Sequence, residues 1–489
     1  VAGPERFDVV VVGAGFGGLG AALRLAEGGA RVVLLEALNY PGGCASTFTR
    51  SGYRFEAGAT LSSGLAPGQL FQRWIQAHGL DVPVDVEDPM LRFRTPDLEL
   101  EVGPDRDALR AQLVELGVPA EPLDRLLARQ RRVADTLWAL LDDPALLPPL
   151  SPSALLRHLR RSPRYLTLLP LLGRPLGALL TRYGLADAAP LRAYLDGLCQ
   201  ITVQCAAAEA EAPFALGAMD YYARGAGHVR GGLGRLAGAL VQAIQGLGGE
   251  VRFASRVRGV RPGPGGWVLQ TRQGDLHTGA VVANLLPQAL QGILHEVSPP
   301  PDLAARAAAV ATGWGAAMLY LVVAPPADAG PGAIHIEGVA DPRAPFVEGN
   351  HVFASVSGAA DEGRCPPGLR TMTVSTHVPV ARVEAGGGAY VAEVQATMRR
   401  TLGAMAPEWV RDVRFELTAS PRTFQRFTGR PQGWVGGVPR RAGLHHYLQL
   451  GPVTPLPGLY LVGDSVFPGQ STLAAALSGV KAAERILSG

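Results

Sequence analysis

Gly13, Gly15 and Gly18 form a G-x-G-x-x-G close to the start of the chain. The run "DVVVV" precedes them, and Leu19, Ala22, Leu23 and Ala26 follow at helical spacing. A second apolar run, "VVLL", ends in Glu36, 21 positions after Gly15. Glycines so spaced permit a tight turn, let a pyrophosphate approach the backbone, and let the helix lie close to the strand. The helix amides and dipole favour phosphate there. Glu36 is placed to accept from a ribose hydroxyl. Strand, turn, helix and acid together predict a dinucleotide site, where the glycines alone would not.

Three further stretches narrow the dinucleotide to FAD. "EALNYPGGCAS" sets Gly42 and Gly43 just behind the acid, a second glycine pair typical of flavoproteins. "YRFEAGAT" adds a tight backbone segment, although an ordinary strand and turn would read the same. At the far end, "PGLYLVGDSVFPGQSTLAAALSGVKAAERIL" reads as a short strand, then Gly463-Asp464, a Pro-Gly turn and a helix. Ser471 or Thr472 can cap that helix. An acid at a strand's carboxyl end beside a helix N-terminus suits a ribityl hydroxyl and a flavin ring. The alternative is a terminal strand and helix that only close the fold.

The elements needed to hold these groups are dispersed. At 489 residues the chain suggests two or three domains. Strands are expected at 251–253, 257–261, 267–271 and 280–283, the last rejoining the cofactor domain. That domain is read as 1–90 with 205–300 and 425–489. A helical segment, 91–204, and a substrate-binding part, 301–424, make up the rest. Sheet strands are expected at 316–323, 351–356 and 371–377, covered by helical runs near 109–141 and 392–405. The fold class is α/β: a two-domain flavoprotein with a Rossmann-type FAD-binding domain, a second α+β substrate domain and a helical membrane-facing segment.

The motifs "GAGFGG", "PGGCAST", "FEAGAT", "GGLGRLAGAL" and "LVGDSVFPGQS" occur in the order seen in FAD-dependent carotenoid desaturases and isomerases. These belong to the wider amine-oxidase-like flavoproteins. "PGGCAST" together with "TGRPQGWVGG" most resembles the carotenoid 3,4-desaturases, with prolycopene isomerases close by. The likeness is strong over 7–60, 225–287 and 424–487. It is faint over 90–200 and 300–410, the stretches that would line a substrate cavity. It implies that Gly13, Gly15 and Gly18 form the pyrophosphate turn and that Glu36 binds the adenosine ribose. It implies that Gly42 and Gly43 form the second phosphate contact and that the backbone of Val257 meets the adenine. Asp464 is implied as the flavin-binding acid, and Gln470, Ser471 and Thr472 as the helix start beside the ring. The arginine usual in the second motif is replaced here, where Tyr40-Pro41 precede the pair and Cys44 follows it.

The resemblance implies an enzyme that introduces a C=C bond into an acyclic carotenoid. A carotenoid cis–trans isomerase, a retinoid saturase or amine oxidase, and a non-enzymatic isoprenoid carrier are the alternatives. The catalytic group is not legible. Glu56, Arg430 and Gln470 lie near the flavin by motif, but Glu56 could as well pair with Arg54 and Arg430 could brace a turn. The histidines show no ligand spacing on a helix, and no metal site is expected.

Residues 151–186 carry Arg157, Arg160, Arg161, Arg164, Arg174 and Arg182 among leucines, and no acid. Pro163, Pro170 and Pro175 should break the stretch into short helices. Apolar side chains backed by arginines suit a lipid headgroup boundary; a core helix pair with an arginine-lined outer face is the alternative. Without aromatic interleaving, the basic run makes no case for nucleic acid. Four cysteines without C-x-x-C spacing suggest a reducing compartment. No apolar stretch is long enough to span a bilayer, and the run at 9–12 is too short for a signal's apolar region. The expected location is cytoplasmic and peripheral to a membrane.

Overall fold

Strand Glu5–Val12 lies between Val32–Leu35 and Gly274–Ala283 and runs parallel to both. The computed structural model describes residues 5–361 and 363–489. The valines of this strand are buried on both faces: Val9 and Val11 join one apolar cluster, Val10 and Val12 another. A strand covered on both sides has no polar face, so it reads as a continuous apolar run. Leu459–Leu461 pairs in parallel with the far side of Gly274–Ala283. Start, middle and end of the chain thus meet in one eight-stranded sheet.

The two ends also meet as helices. Phe16–Glu27 packs directly on Thr472–Leu487, and glycine makes the approach possible. A Cβ on Gly479 would lie 1.9 Å from the carbonyl oxygen of Gly17. A Cβ on Gly20 would lie 2.5 Å from that of Ala476.

A second sheet of seven strands runs in the order Val413–Ala419, Gly315–Val323, Arg370–Val378, His351–Val356, Ile334–Val339, Leu91–Thr95 and Leu98–Val102. The strands expected at 316–323, 351–356 and 371–377 are present within a residue at each end. One face is apolar and lies under helix Val380–Met405. That helix begins well before the expected 392 and passes through Gly387, whose φ of +56° is left-handed. The other face looks toward the site.

Several expectations need correction. Residues 91–102 are a hairpin of the seven-stranded sheet and not part of a helical segment. The alternation in "LRFRTPDLELEV" carries that signal. The run 109–141 divides into Arg106–Glu115 and Ala120–Asp142, because Gly117 takes φ +86° and Pro119 precedes the second helix. The strand expected from 257 starts at Gly259. Pro163 does not end its helix, Pro152–Tyr165. The carbonyl of Leu159, which Pro163 cannot serve, accepts from the Ser162 hydroxyl at 2.8 Å. Among the described residues, no helix is long and apolar enough to cross a membrane, and no three His, Cys, Asp or Glu side chains group as metal ligands.

Candidate cofactor and active site

One cavity of about 790 Å³ runs between the two sheets, toward the upper end of the ~300–1,000 Å³ usual for small-molecule sites. Gly13, Gly15, Glu36, Gly42, Gly43, Val257, Arg430, Asp464, Gln470, Ser471 and Thr472 all line it. Gly18 lies behind this wall, where a Cβ would stand 2.0 Å from the carbonyl oxygen of Gly13.

At one end, the parallel bridge between Gly15 and Gly42 joins the two glycine motifs. No side chain caps helix Phe16–Glu27, so its first amides are left for a ligand. Glu36 is buried and accepts from the amides of Ala14 at 2.7 Å and Leu38 at 2.8 Å. Burial raises its carboxyl above the ordinary value, while those amides and Arg256 oppose the rise. Each carboxylate oxygen retains a lone pair beyond these two bonds. Asn284 was not singled out by sequence, yet its amide donates to the Gly13 carbonyl at 3.3 Å and fills the space behind Gly15. Its only sequence signal is its place directly after a rejoining strand.

At the other end, the Arg430 guanidinium holds Asp464, Nη2 to Oδ2, at 2.7 Å and also donates to the Trp434 carbonyl. Arg430 therefore braces a turn and pairs with the motif acid at once. Burial pushes the neighbouring Cys44 thiol up, with Arg430 opposing. The Ser471 hydroxyl caps helix Thr472–Leu487 at the Ala474 amide, 3.1 Å away, with Ser471 itself at φ +100°. Such a φ in a non-glycine residue stores strain of a kind that clusters at functional sites. The Thr472 hydroxyl lies 2.8 Å from that of Ser62. Gln470 donates to the Ile201 carbonyl at 2.8 Å, but its Oε1 is buried without a partner.

Glu56 is elsewhere. It does not line the cavity, and its partner is not Arg54. Its carboxylate takes Arg364 at 2.6 Å, the Thr47 hydroxyl at 2.9 Å and the Leu233 amide at 3.1 Å. It knots three distant segments together and has no path to a substrate.

These features fit FAD on structural grounds. Uncapped helix amides and closely approaching glycines at one end suit a pyrophosphate. The orphaned, buried Gln470 acceptor at the other suits a ring donor.

The family model for flavin containing amine oxidoreductases matches residues 16–487. The chain belongs to that family, and FAD is its expected cofactor. Prolycopene isomerase of Arabidopsis thaliana is 24% identical over 522 residues, covering 99% of this chain and 83% of that protein. The neurosporene-forming phytoene desaturase of Cereibacter sphaeroides is 37% identical over 112 residues, 22% of this chain and 21% of that one. Among solved structures, an oxidoreductase from Methanosarcina mazei aligns with a TM-score of 0.66 at 18% identity, over 98% of this chain and 100% of that chain. The last likeness concerns the fold alone.

Proposed function

We propose that the chain is an FAD-dependent oxidoreductase that introduces a C=C bond into an acyclic carotenoid, as a 3,4-desaturase does. The observation that carries this reading is the chemistry of the cavity wall. Beyond the cofactor motifs it is made of residues such as Leu137, Trp138, Leu141, Phe214, Met318 and Phe353. Among the described residues its only acids are Glu36, at the glycine end, and Asp464, neutralised by Arg430. Among the described residues no free carboxylate waits for a substrate ammonium, which speaks against an amine. A long apolar chain would meet complementary surface.

In this reading the cofactor part is 1–90, 205–300 and 425–489, and the substrate part lies chiefly on the seven-stranded sheet. Glu36 takes the ribose hydroxyl on its remaining lone pairs, and the amides after Gly15 take the pyrophosphate. Asp464, fixed by Arg430, takes a ribityl hydroxyl. When bound, FAD supplies the two-electron chemistry. The chain's own residues orient the polyene and exclude water.

A second reading, carotenoid cis–trans isomerisation, is favoured by one observation. Likeness to a prolycopene isomerase extends over 99% of the chain, whereas the desaturase match covers 22%. Expression in cells that accumulate one defined acyclic carotene separates the two. A product with two hydrogens fewer and longer-wavelength absorption supports the desaturase. Unchanged mass with altered chromatographic retention supports the isomerase. Purified protein that is colourless and cannot be reconstituted with FAD overturns both.

We also propose that 151–186 contacts a membrane surface. Leu155, Leu156, Leu159, Leu166 and Leu169 are 50–69% exposed there. Arg160, Arg164, Arg174 and Arg182 are exposed beside them. Leu444, 61% exposed, stands over Gly173 and extends the apolar face toward Leu448, 84% exposed. The helix Ala120–Asp142, next to this segment, supplies Leu137, Trp138, Leu140 and Leu141 of the cavity wall. A carotene dissolved in lipid would have a short path inward.

A further inference from the structure

Residues 443–453 lie as a strap between the exposed leucines and the cavity. Leu444, Leu448 and Leu450 point outward from it. Its inner side covers part of the cavity wall. The Tyr447 ring stacks on Phe214 at 5.7 Å, and His446 meets the same ring edge-on. Further along, Leu450 to Val453 face Leu147, Phe467 and Pro468, which border the cavity on their other side. The gap between these two rows is about 10 Å³, room for about one water. A polyene cannot pass there while the strap stays down.

The strap is fastened by side chains. Among the described residues, the backbone of 444–452 makes no backbone hydrogen bond to any other segment. A stretch so lightly tethered belongs to the low-stability end of a fold. Its fastenings are a bond from Arg306 to Gln449 at 2.9 Å, one from the Arg440 guanidinium to His446 Nδ1 at 3.1 Å, and Glu211. Glu211 is fully buried, and its charge is met by neutral donors. Its carboxylate accepts from the Tyr447 hydroxyl and the Gly443 amide, both at 2.9 Å, and from the Gly173 amide at 2.7 Å. Glu211 thus grips the strap and the 151–186 segment together. Burial and the charge of Glu211 push the Tyr447 hydroxyl up, so it stays a donor. The facing side of the gap is firm by contrast. The Lys481 ammonium, on helix Thr472–Leu487, donates to the Pro144 carbonyl at 3.0 Å, and His158 Nε2 lies 2.9 Å from the Leu146 carbonyl.

We propose that the strap 443–453 is the door by which an apolar chain passes from a lipid surface into the cavity, and that the bond between Tyr447 and Glu211 is its latch. The proposal deepens the polyene and membrane-contact readings above and rests on them. Leu444, Leu448 and Leu450 sink into the lipid boundary and draw the strap away from Leu147 and Phe214. Burying several leucines outweighs the loss of one latch bond. The gap then opens directly onto the leucine-lined part of the cavity wall.

The test follows diphenylhexatriene, a small apolar polyene, from vesicles of phosphatidylcholine and phosphatidylglycerol into the FAD-loaded protein. Quenching of its emission by the flavin reports entry. Tyr447→Phe keeps the stack on Phe214 and loses the latch bond, so uptake quickens roughly tenfold at an unchanged final level. Pro148→Cys combined with Gly451→Cys supplies a lock. A Cβ on Gly451 would lie 3.5 Å from that of Pro148, within the ~3.5–4.5 Å that a disulfide spans. When oxidised, this protein takes up the probe roughly tenfold more slowly or not at all. When reduced, it regains the wild-type rate, which separates locking from misfolding, and wild type under the same oxidant controls for the native thiols. A merely structural strap would lower Tm in Y447F and leave uptake rates in place. Equal rates in the oxidised and reduced lock, or in Y447F and wild type, overturn the door alone. A lock that does not close on oxidation contradicts the contact and overturns it too. Wild type that takes up no probe even at equilibrium brings down the polyene reading, and the door with it.

Discussion

At the scale of single residues, the pairing of Asp464 with Arg430 links two motifs 34 positions apart. Sequence pointed to each residue separately and left Arg430 between catalysis and a turn; only the fold showed that it serves Asp464. Asp464→Ala should weaken FAD by about 1.5–3 kcal/mol, the worth of hydrogen bonds to a charged group, or roughly ten- to hundredfold. Flavin absorbance per protein after gel filtration reports this, and full retention contradicts the role. Asp361, which accepts from the Gly231 amide at 2.7 Å, offers a second test. Burial would raise its carboxyl, but the hydrogen bond from His228 and the charges of His228 and Arg364 hold it well below the usual range. A depressed carboxyl adds stability that is complete above the unfolded value of about 3.9 and is lost as pH falls through the folded one. Asp361→Asn should therefore lower Tm more at neutral pH than near pH 3. An equal drop at both would rule this linkage out. Nothing local in the sequence marks Asp361, because His228 is brought to it from 133 positions away.

At the scale of elements, the first strand, turn and helix were plain in the sequence because their contacts are local. Less plain was how the last helix reaches them. Gly479 and Gly17 look like tolerated small residues in alanine-rich stretches, yet their backbones touch. Gly479→Ala should cost about 1–3 kcal/mol through overpacking, read as a lower urea midpoint with an unchanged slope. Gly18→Ala should be worse for the cofactor, because the clashing atom, the Gly13 carbonyl oxygen, belongs to the turn itself. Full FAD occupancy in that variant would mean the turn relaxes freely. The hairpin Leu91–Val102 went unread although its alternation is clear. It pairs with Ile334–Val339, far along the chain, and no local feature names that partner.

At the scale of the whole molecule, the exposed leucines and the arginines beside them form a face with no counterpart elsewhere on the described surface. Leu155→Ser, Leu159→Ser and Leu166→Ser combined should reduce co-sedimentation with anionic vesicles at every salt concentration. Replacing Arg160 and Arg164 should reduce it mainly at low salt, where the Debye length is longer. Sedimentation unchanged in both sets would leave the face as ordinary protein surface.

The amino-acid sequence alone pointed to an FAD site built from the two ends of the chain, since turn glycines, the acid after the second strand and helix starts are set by backbone geometry within a few residues. Tertiary structure decided what lines the cavity beyond the glycine motifs. His351 and His377 lie on separate strands and become neighbours only through sheet register, so no spacing in the chain announces them. Removal of Glu56 from the site has the same cause: its fate was settled by Arg364, 308 positions away.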